Sequence, residues 1–80
     1  MIKKYTLAKY GTTKIVESIR EILDVQMQND ELVVWVDSSG YSESRTWKFD
    51  TLVTGDSSIP HAAYIATVQD KSLVYHVYVS

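Results

Sequence analysis

Residues 22–37, Ile-Leu-Asp-Val-Gln-Met-Gln-Asn-Asp-Glu-Leu-Val-Val-Trp-Val-Asp, read as one β-hairpin, and the rest of the chain must be arranged around it. In the second arm Leu32, Val34 and Val36 alternate with Val33 and Trp35, so both faces are apolar. A strand with two apolar faces belongs in the middle of a sheet, where it is covered on both sides. The first arm alternates more cleanly, with Leu23, Val25 and Met27 on one face and Asp24, Gln26 and Gln28 on the other. Between the arms stand Asn29 and Asp30, residue types that tolerate the positive φ of a tight primed turn. This pattern sets a register and a core, and it leaves function open.

Outward from the hairpin, Ile2–Ala8 reads as a strand with Ile2, Tyr5 and Leu7 directed to the core, followed by a turn at Tyr10-Gly11-Thr12. The next stretch supports two readings. Ile15, Val16, Ile19, Ile22 and Leu23 recur at helical spacing, with Lys14, Glu17, Arg20 and Glu21 on the opposite side, and Thr12 or Thr13 could cap such a helix. A helix over 13–23 would, however, have to stop where the strand pattern of the hairpin begins; strand-turn-strand is the other reading. After the hairpin come a polar loop at Ser38–Ser44 and a strand over Arg45–Val53, with Trp47, Phe49, Thr51 and Val53 on one face. A longer loop at Thr54–Ala63 holds Gly55 and the only proline, Pro60. Tyr64–Gln69 and Leu73–Val79 are strands joined by a tight turn at Asp70-Lys71-Ser72.

The fold expected is therefore mostly β: a small antiparallel meander closed as a barrel or a sandwich, with room for one short helix at 13–23. The expected core is Leu23, Val25, Val34, Val36, Trp47, Phe49 and Val77. In an up-and-down order Asn29-Asp30 and Thr54–Ala63 would share one end, and Ser38–Ser44 and Asp70–Ser72 the other. The 80 residues make a single domain over 1–80, one that buries only roughly 60–65% of its unfolded surface. Two Trp, six Tyr and one Phe in so short a chain suggest that self-association completes the core, and the two-faced last strand is the expected contact.

Composition narrows the function classes. No cysteine is present, so neither a disulfide frame nor a thiolate metal site can be built, which fits a reducing cytoplasm. A net charge of −2 gives no general attraction to nucleic acid or to an anionic membrane. No apolar run approaches the ~20 residues that span a bilayer, and the N-terminus lacks the apolar core of a signal peptide. Nor does the sequence nominate a nucleophile with its base and orienting group; no enzyme is expected, and no cofactor or metal.

Three groups remain. His76, mid-strand among Val and Tyr, reads as a structural histidine bonded to a neighbour. Arg45, Trp47 and Lys48 could stack on a base and pair with a phosphate, but the plainer reading has Trp47 in the core and both cations in solvent. The Thr54–Ala63 loop is the candidate binding site. In it Gly55, Ser57 and Ser58 offer backbone and hydroxyl donors beside Thr54, His61 and Tyr64 offer flat rings, and Lys48 offers charge.

The run Ile22–Asp30, the Trp35 that follows, Tyr64-Ile65-Ala66-Thr67-Val68-Gln69 and Val74-Tyr75-His76-Val77-Tyr78 together resemble a family of small uncharacterised tailed-bacteriophage proteins. Its pattern is IL-x-V-x-x-QN, then Thr-Gly (here Thr54-Gly55) before a loop with proline (Pro60), then YI-x-T-V-Q and V-x-H-V. This chain departs from it at Ala66 for Gly, Tyr75 for Trp and Asp56 for His. Members carry Pro and Gly near positions 17–20, so the resemblance favours strand-turn-strand over a helix. It implies a phage protein in the cytoplasm of an infected host, without establishing an activity. Two functions are expected by analogy with compact phage proteins: an oligomer that sequesters a nucleotide-like signal of host immunity, or a protein-protein inhibitor of a host defence enzyme or nuclease. A virion component is a third class with no positive signal here.

Overall fold

A computed structural model describes residues 1–40 and 43–80. Seven strands follow in chain order: β1 (Ile2–Leu7), β2 (Gly11–Glu17), β3 (Ile19–Gln28), β4 (Glu31–Ser38), β5 (Arg45–Val53), β6 (Ala63–Asp70) and β7 (Leu73–Val79). They form two antiparallel sheets, sheet A in the order β1-β4-β3 and sheet B in the order β2-β5-β7-β6. The fold is a small β-sandwich and not a closed barrel. The sheets face each other across a core of Leu7, Val25, Leu32, Val34 and Val36 from sheet A and Ile15, Phe49, Tyr75, Val77 and Val79 from sheet B. Of the expected polar loop Ser38–Ser44, Ser38 closes β4, while Tyr41 and Ser42 lie outside the described residues.

The founding hairpin forms as its sequence dictates. Asn29 and Asp30 adopt φ of 50° and 65°, which joins β3 to β4 by a two-residue turn. β4 is central, and Val34 and Val36 are fully buried between β1 and β3. Even Val33, on the outer face, is covered, flanked in register by Thr6 and Gln26.

Of the two readings of 13–23 the chain takes strand-turn-strand and not the helix: β2, the single residue Ser18, and the start of β3. Thr12, Thr13, Ile15, Val16, Ile19 and Ile22 are all β-branched, which costs χ1 freedom in a helix and suits a pleated strand. The helical spacing of the apolar residues has another origin. The register of β3 against β4 shifts between Ile19 and Glu21 and again between Ile22 and Asp24. Each shift inserts an extra residue and resets which side chains face inward. Ile22 and Val25 therefore both reach the core, and Leu23, expected there, is 43% exposed. Ile2 was expected inward too, but strand parity places it with Lys4 and Thr6 on the outer face, opposite Asp37.

The chain order is not a meander. β1 pairs with β4, β2 with β5, and β5 with β7, so the chain passes repeatedly between the sheets. β5 and β6 both run antiparallel to β7, hence parallel to each other. Residues 54–62 must then travel from the level of Val53, opposite Tyr75, to that of Ala63, opposite Val79. They do so as a strap over the outer face of sheet B, where Ile59 stands beside Leu52, His76 and Tyr78. The strap does not share an end with Asn29-Asp30, as an up-and-down order required; it spans the face. It leaves Leu52, an outward residue, 9% exposed.

A buried carboxylate joins the sheets where β2 hands over to β3. Glu17 of sheet B, 6% exposed, accepts hydrogen bonds from three side chains of sheet A: the Ser38 hydroxyl at 2.6 Å, the Lys3 ammonium at 3.1 Å and the Tyr5 phenol. The Ser18 amide adds a fourth at 3.0 Å, and the Trp47 indole donates to the Glu17 carbonyl at 3.0 Å. Four donors offset the loss of hydration that an isolated carboxylate could not survive.

Two outcomes follow from this packing. Ile22→Ala is expected to cost about 1–3 kcal/mol of unfolding free energy and Leu23→Ala within about 0.5 kcal/mol, measured by urea denaturation; the reverse order would place the bulge wrongly. The second outcome concerns pH. The hydroxyl of Ser38, then the Tyr5 phenol, the Ser18 amide and Lys3, hold the Glu17 carboxyl down to about 2 from its ordinary 4.5. The folded value lies below the unfolded one, so ionised Glu17 supports folding fully above pH 4.5 and loses that contribution as pH falls towards 2. Glu17→Gln should flatten the fall of the urea midpoint across that window, whereas an unchanged slope would remove Glu17 from the account.

Candidate functional site

The strap is built from its own polar groups. Thr54 leaves β5 with its amide bonded to the Val74 carbonyl at 3.1 Å, and Gly55 turns the chain at φ 103°. Asp56 then folds back on the residues that follow: its carboxylate accepts the Ser58 amide at 3.1 Å and the Tyr10 phenol at 2.9 Å. The Ser58 amide, the Tyr10 phenol and the Ser57 amide lower the Asp56 carboxyl below its ordinary range, and the bond to Asp56 raises the Tyr10 phenol. An Asp followed by two Ser is the sequence mark of such a side-chain-closed turn. That signal is readable in the chain but is outweighed by the hydroxyl content of the loop.

The expected site residues divide among several surfaces. Lys48 and Ser58 line one open cleft of about 230 Å³, together with Tyr10, Asp50, Asp56 and Pro60. Thr54 and Gly55 line a second of about 230 Å³ on the other side of the strap, with Ile59, His76 and Tyr78. Tyr64 adjoins Tyr78 with ring centres 5.7 Å apart, edge to face, and also borders β3 across the gap between the sheets. Ser57 and His61 are exposed on the strap. Both clefts are smaller than the ~300–1,000 Å³ of ordinary small-molecule pockets. The backbone donors expected to converge on an anion at Ser57 and Ser58 are directed to Asp56, which places a carboxylate where a phosphate was expected.

Across β6 and β7 runs a hydrogen-bonded chain that the sequence did not suggest as a unit. The Tyr64 phenol meets the Thr67 hydroxyl at 2.6 Å, Thr67 meets His76 Nδ1 at 3.0 Å, and His76 Nε2 meets the Thr54 hydroxyl at 2.7 Å. His76 is thus bonded through both ring nitrogens, the structural role expected of it, and the chain fixes the start of the strap to the sheet beneath. The alternation of Thr67 opposite His76 was the available signal. Arg45 lies over the Trp47 ring, 3.4 Å from its centre, so this cation–aromatic pair is satisfied within the chain. Trp47 itself packs against the core, in keeping with the plainer reading. Among the described residues, no three His, Cys, Asp or Glu side chains stand together as a metal site would require.

Fold and site together define a small two-sheet β domain whose outer face is bridged by a carboxylate-closed strap. The chain belongs to the family of DUF7352, a domain of unknown function, whose model matches residues 1–80. Neither a curated protein nor a solved structure matches it.

Asp56→Ala is expected to return the Tyr10 phenol towards its ordinary 10.0 and to speed hydrogen exchange at the Ser58 amide, both read by NMR. A Tyr10 titration unchanged by the substitution would show that the strap is closed by other contacts.

Proposed function

We propose that the protein is a non-enzymatic binding module that recognises another protein, with the strapped face of sheet B as its recognition surface. The observation that carries this reading is a continuous strip across that face. Tyr10 and Pro60 border one cleft, Ile59 and Tyr78 the next, and Tyr64 meets Tyr78 edge to face. Tyr10, Ile59 and Tyr64 are exposed by 65%, 66% and 56%, while the Asp56 carboxylate, the Ser58 amide and the Thr67 hydroxyl between them are already paired. Aromatic and apolar anchors on a preorganised loop, set among satisfied polar groups, suit a protein partner better than a small anion. The setting we propose, a tailed phage countering host defence in the infected cytoplasm by inhibiting a defence enzyme or nuclease, rests on the motif resemblance alone.

A nucleotide-like immune signal is the second reading. Lys48 and Ser58 on one cleft wall favour it, and Tyr64 supplies a ring. Asp50 and Asp56 on the same wall oppose an anion, which is why it stands second.

The deciding experiment pairs capture from host lysate with a melting screen against nucleotides. The parent should retain a specific protein, and Ile59→Glu should weaken that retention about tenfold or more at an unchanged melting temperature. A nucleotide that raises the melting temperature, with the rise abolished in Lys48→Ala, would overturn the protein reading in favour of the second.

A further inference from the structure

The outer face of sheet A, on the far side of the molecule from the strap, carries a cleft of its own. An antiparallel sheet with one side in water is expected to be polar on that side. Part of this face is covered from within. The Lys4 ammonium donates to Gln28 Oε1 at 2.7 Å. Lys4 stands in the row of Trp35 and Gln28 in the row of Glu31, so their bridge crosses β4 over Val33, which is only 2% exposed. The remainder is open. Ile2, Leu23 and Trp35, with Asp24 and Gln26, line a shallow cleft of about 310 Å³, and Ile2 and Leu23 are 67% and 43% exposed.

Charge decides what fits there. Of the residues lining the cleft only Asp24 is charged, and among the described residues no cation pairs with it. Arg20 and the Met1 amine both go to Asp37, and Lys3 goes to Glu17. The Lys4 ammonium is drawn to Gln28, four residues along β3 from Asp24. At the rise of a strand that is about 13 Å, beyond the ~8 Å screening length of physiological salt. Glu21, in register with Asp37, and Glu31, on the strand of Trp35, add carboxylates to the same face. Asp24 also has a defined capacity. One of its oxygens accepts the Val25 amide at 2.8 Å and the other the Gln26 side-chain amide at 2.5 Å. A carboxylate offers about four lone-pair sites, so each oxygen keeps one. Two parallel N–H groups of a guanidinium match that pair, its flat face suits an indole, and its methylene stem suits Ile2 and Leu23. The chain makes the same kind of contact itself, with Arg45 3.4 Å from the centre of the Trp47 ring.

We infer that this cleft receives an arginine side chain of a partner protein, with Asp24 accepting from the guanidinium, Trp35 against its face and Ile2 and Leu23 along its stem. Free arginine fits less well, because it brings a carboxylate of its own to a face that already bears Glu21 and Glu31. A second copy fits less well for the same reason: it sets Glu21, Asp24 and Glu31 against an equally acidic face, and its Arg20 is engaged with Asp37. The strand expected to mediate self-contact, β7, is paired on both edges by β5 and β6, with Tyr75 in the core. The inference is separate from the recognition surface on sheet B and stands without it.

NMR titration with the blocked tripeptide acetyl-Gly-Arg-Gly-amide tests the inference. Its citrulline counterpart, of the same shape but neutral, is the control. The arginine peptide should move the Trp35 indole and Asp24 amide resonances saturably, with a Kd of about 1–10 mM. The citrulline peptide should bind about tenfold more weakly, and so should the arginine peptide to Asp24→Asn, a variant expected to keep the parent's circular dichroism. Ile59→Glu, on the strap, should bind the arginine peptide as the parent does, which keeps the two surfaces distinct. Equal binding of the citrulline peptide, or undiminished binding by Asp24→Asn, overturns the inference. So do shifts centred on Asp50 and Asp56, or no saturation by about 50 mM. A Trp35 resonance that moves with protein concentration alone overturns it in favour of a second copy.

Discussion

The carboxylate of Glu17 sits where the chain leaves sheet B for sheet A, and it accepts hydrogen bonds from Lys3, Tyr5 and Ser38 on the opposite sheet. A charge at this depth is tolerated only because its lone pairs are occupied. That requirement fixes where β1, β2 and β4 lie relative to each other at this end of the molecule. Apolar contact holds the two sheets elsewhere, and it is non-directional. The Glu17 cluster supplies direction. Around it the chain makes its tightest change of sheet, a single Ser18 whose hydroxyl bonds the Ser39 carbonyl at 2.6 Å, and the N-terminus is tied at the same end by the Ser38 amide donating to the Met1 carbonyl at 2.7 Å.

With that end closed, the two outer faces are left with different characters. Sheet B is crossed by the strap because β5 and β6 are parallel and β7 lies between them, so the connection has to pass over a face. The strap is held in place through Asp56 and through the chain of Thr54, His76, Thr67 and Tyr64. Outward this face presents Tyr10, Ile59 and Tyr64, with Ser57 and His61 exposed beside them. Sheet A has no strap, and its outer face exposes Ile2 and Leu23 beside Trp35.

How far the sequence revealed this depended on the range of the interactions. The hairpin was legible because its signals are local: alternation in each arm and a turn pair that accepts positive φ. The centrality of β4 was legible for the same reason, since two apolar faces need two covers. The region 13–23 was ambiguous because a register shift in β3 brings Ile19 and Ile22 to one face and so imitates a helical period; only pairing with β4 resolves it. The strap could be seen as a long loop but not as a crossing, because its path follows from strand order, which no local pattern encodes. For the candidate site the residue types were visible, but their partners were not. Asp56 reads in sequence as a solvated turn residue, yet it organises the loop that Ser57 and Ser58 were expected to open to a ligand.

The ionisation of Glu17 in the folded protein is the most direct test of this account, because it reports the inter-sheet bonds themselves. Carbon-detected NMR titration of the side-chain carboxyl is expected to give a midpoint near 2, held there by Ser38, Tyr5, Ser18 and Lys3. A midpoint at the ordinary 4.5, in a protein still folded, would mean that the carboxylate is solvated and that the sheets are not joined through it.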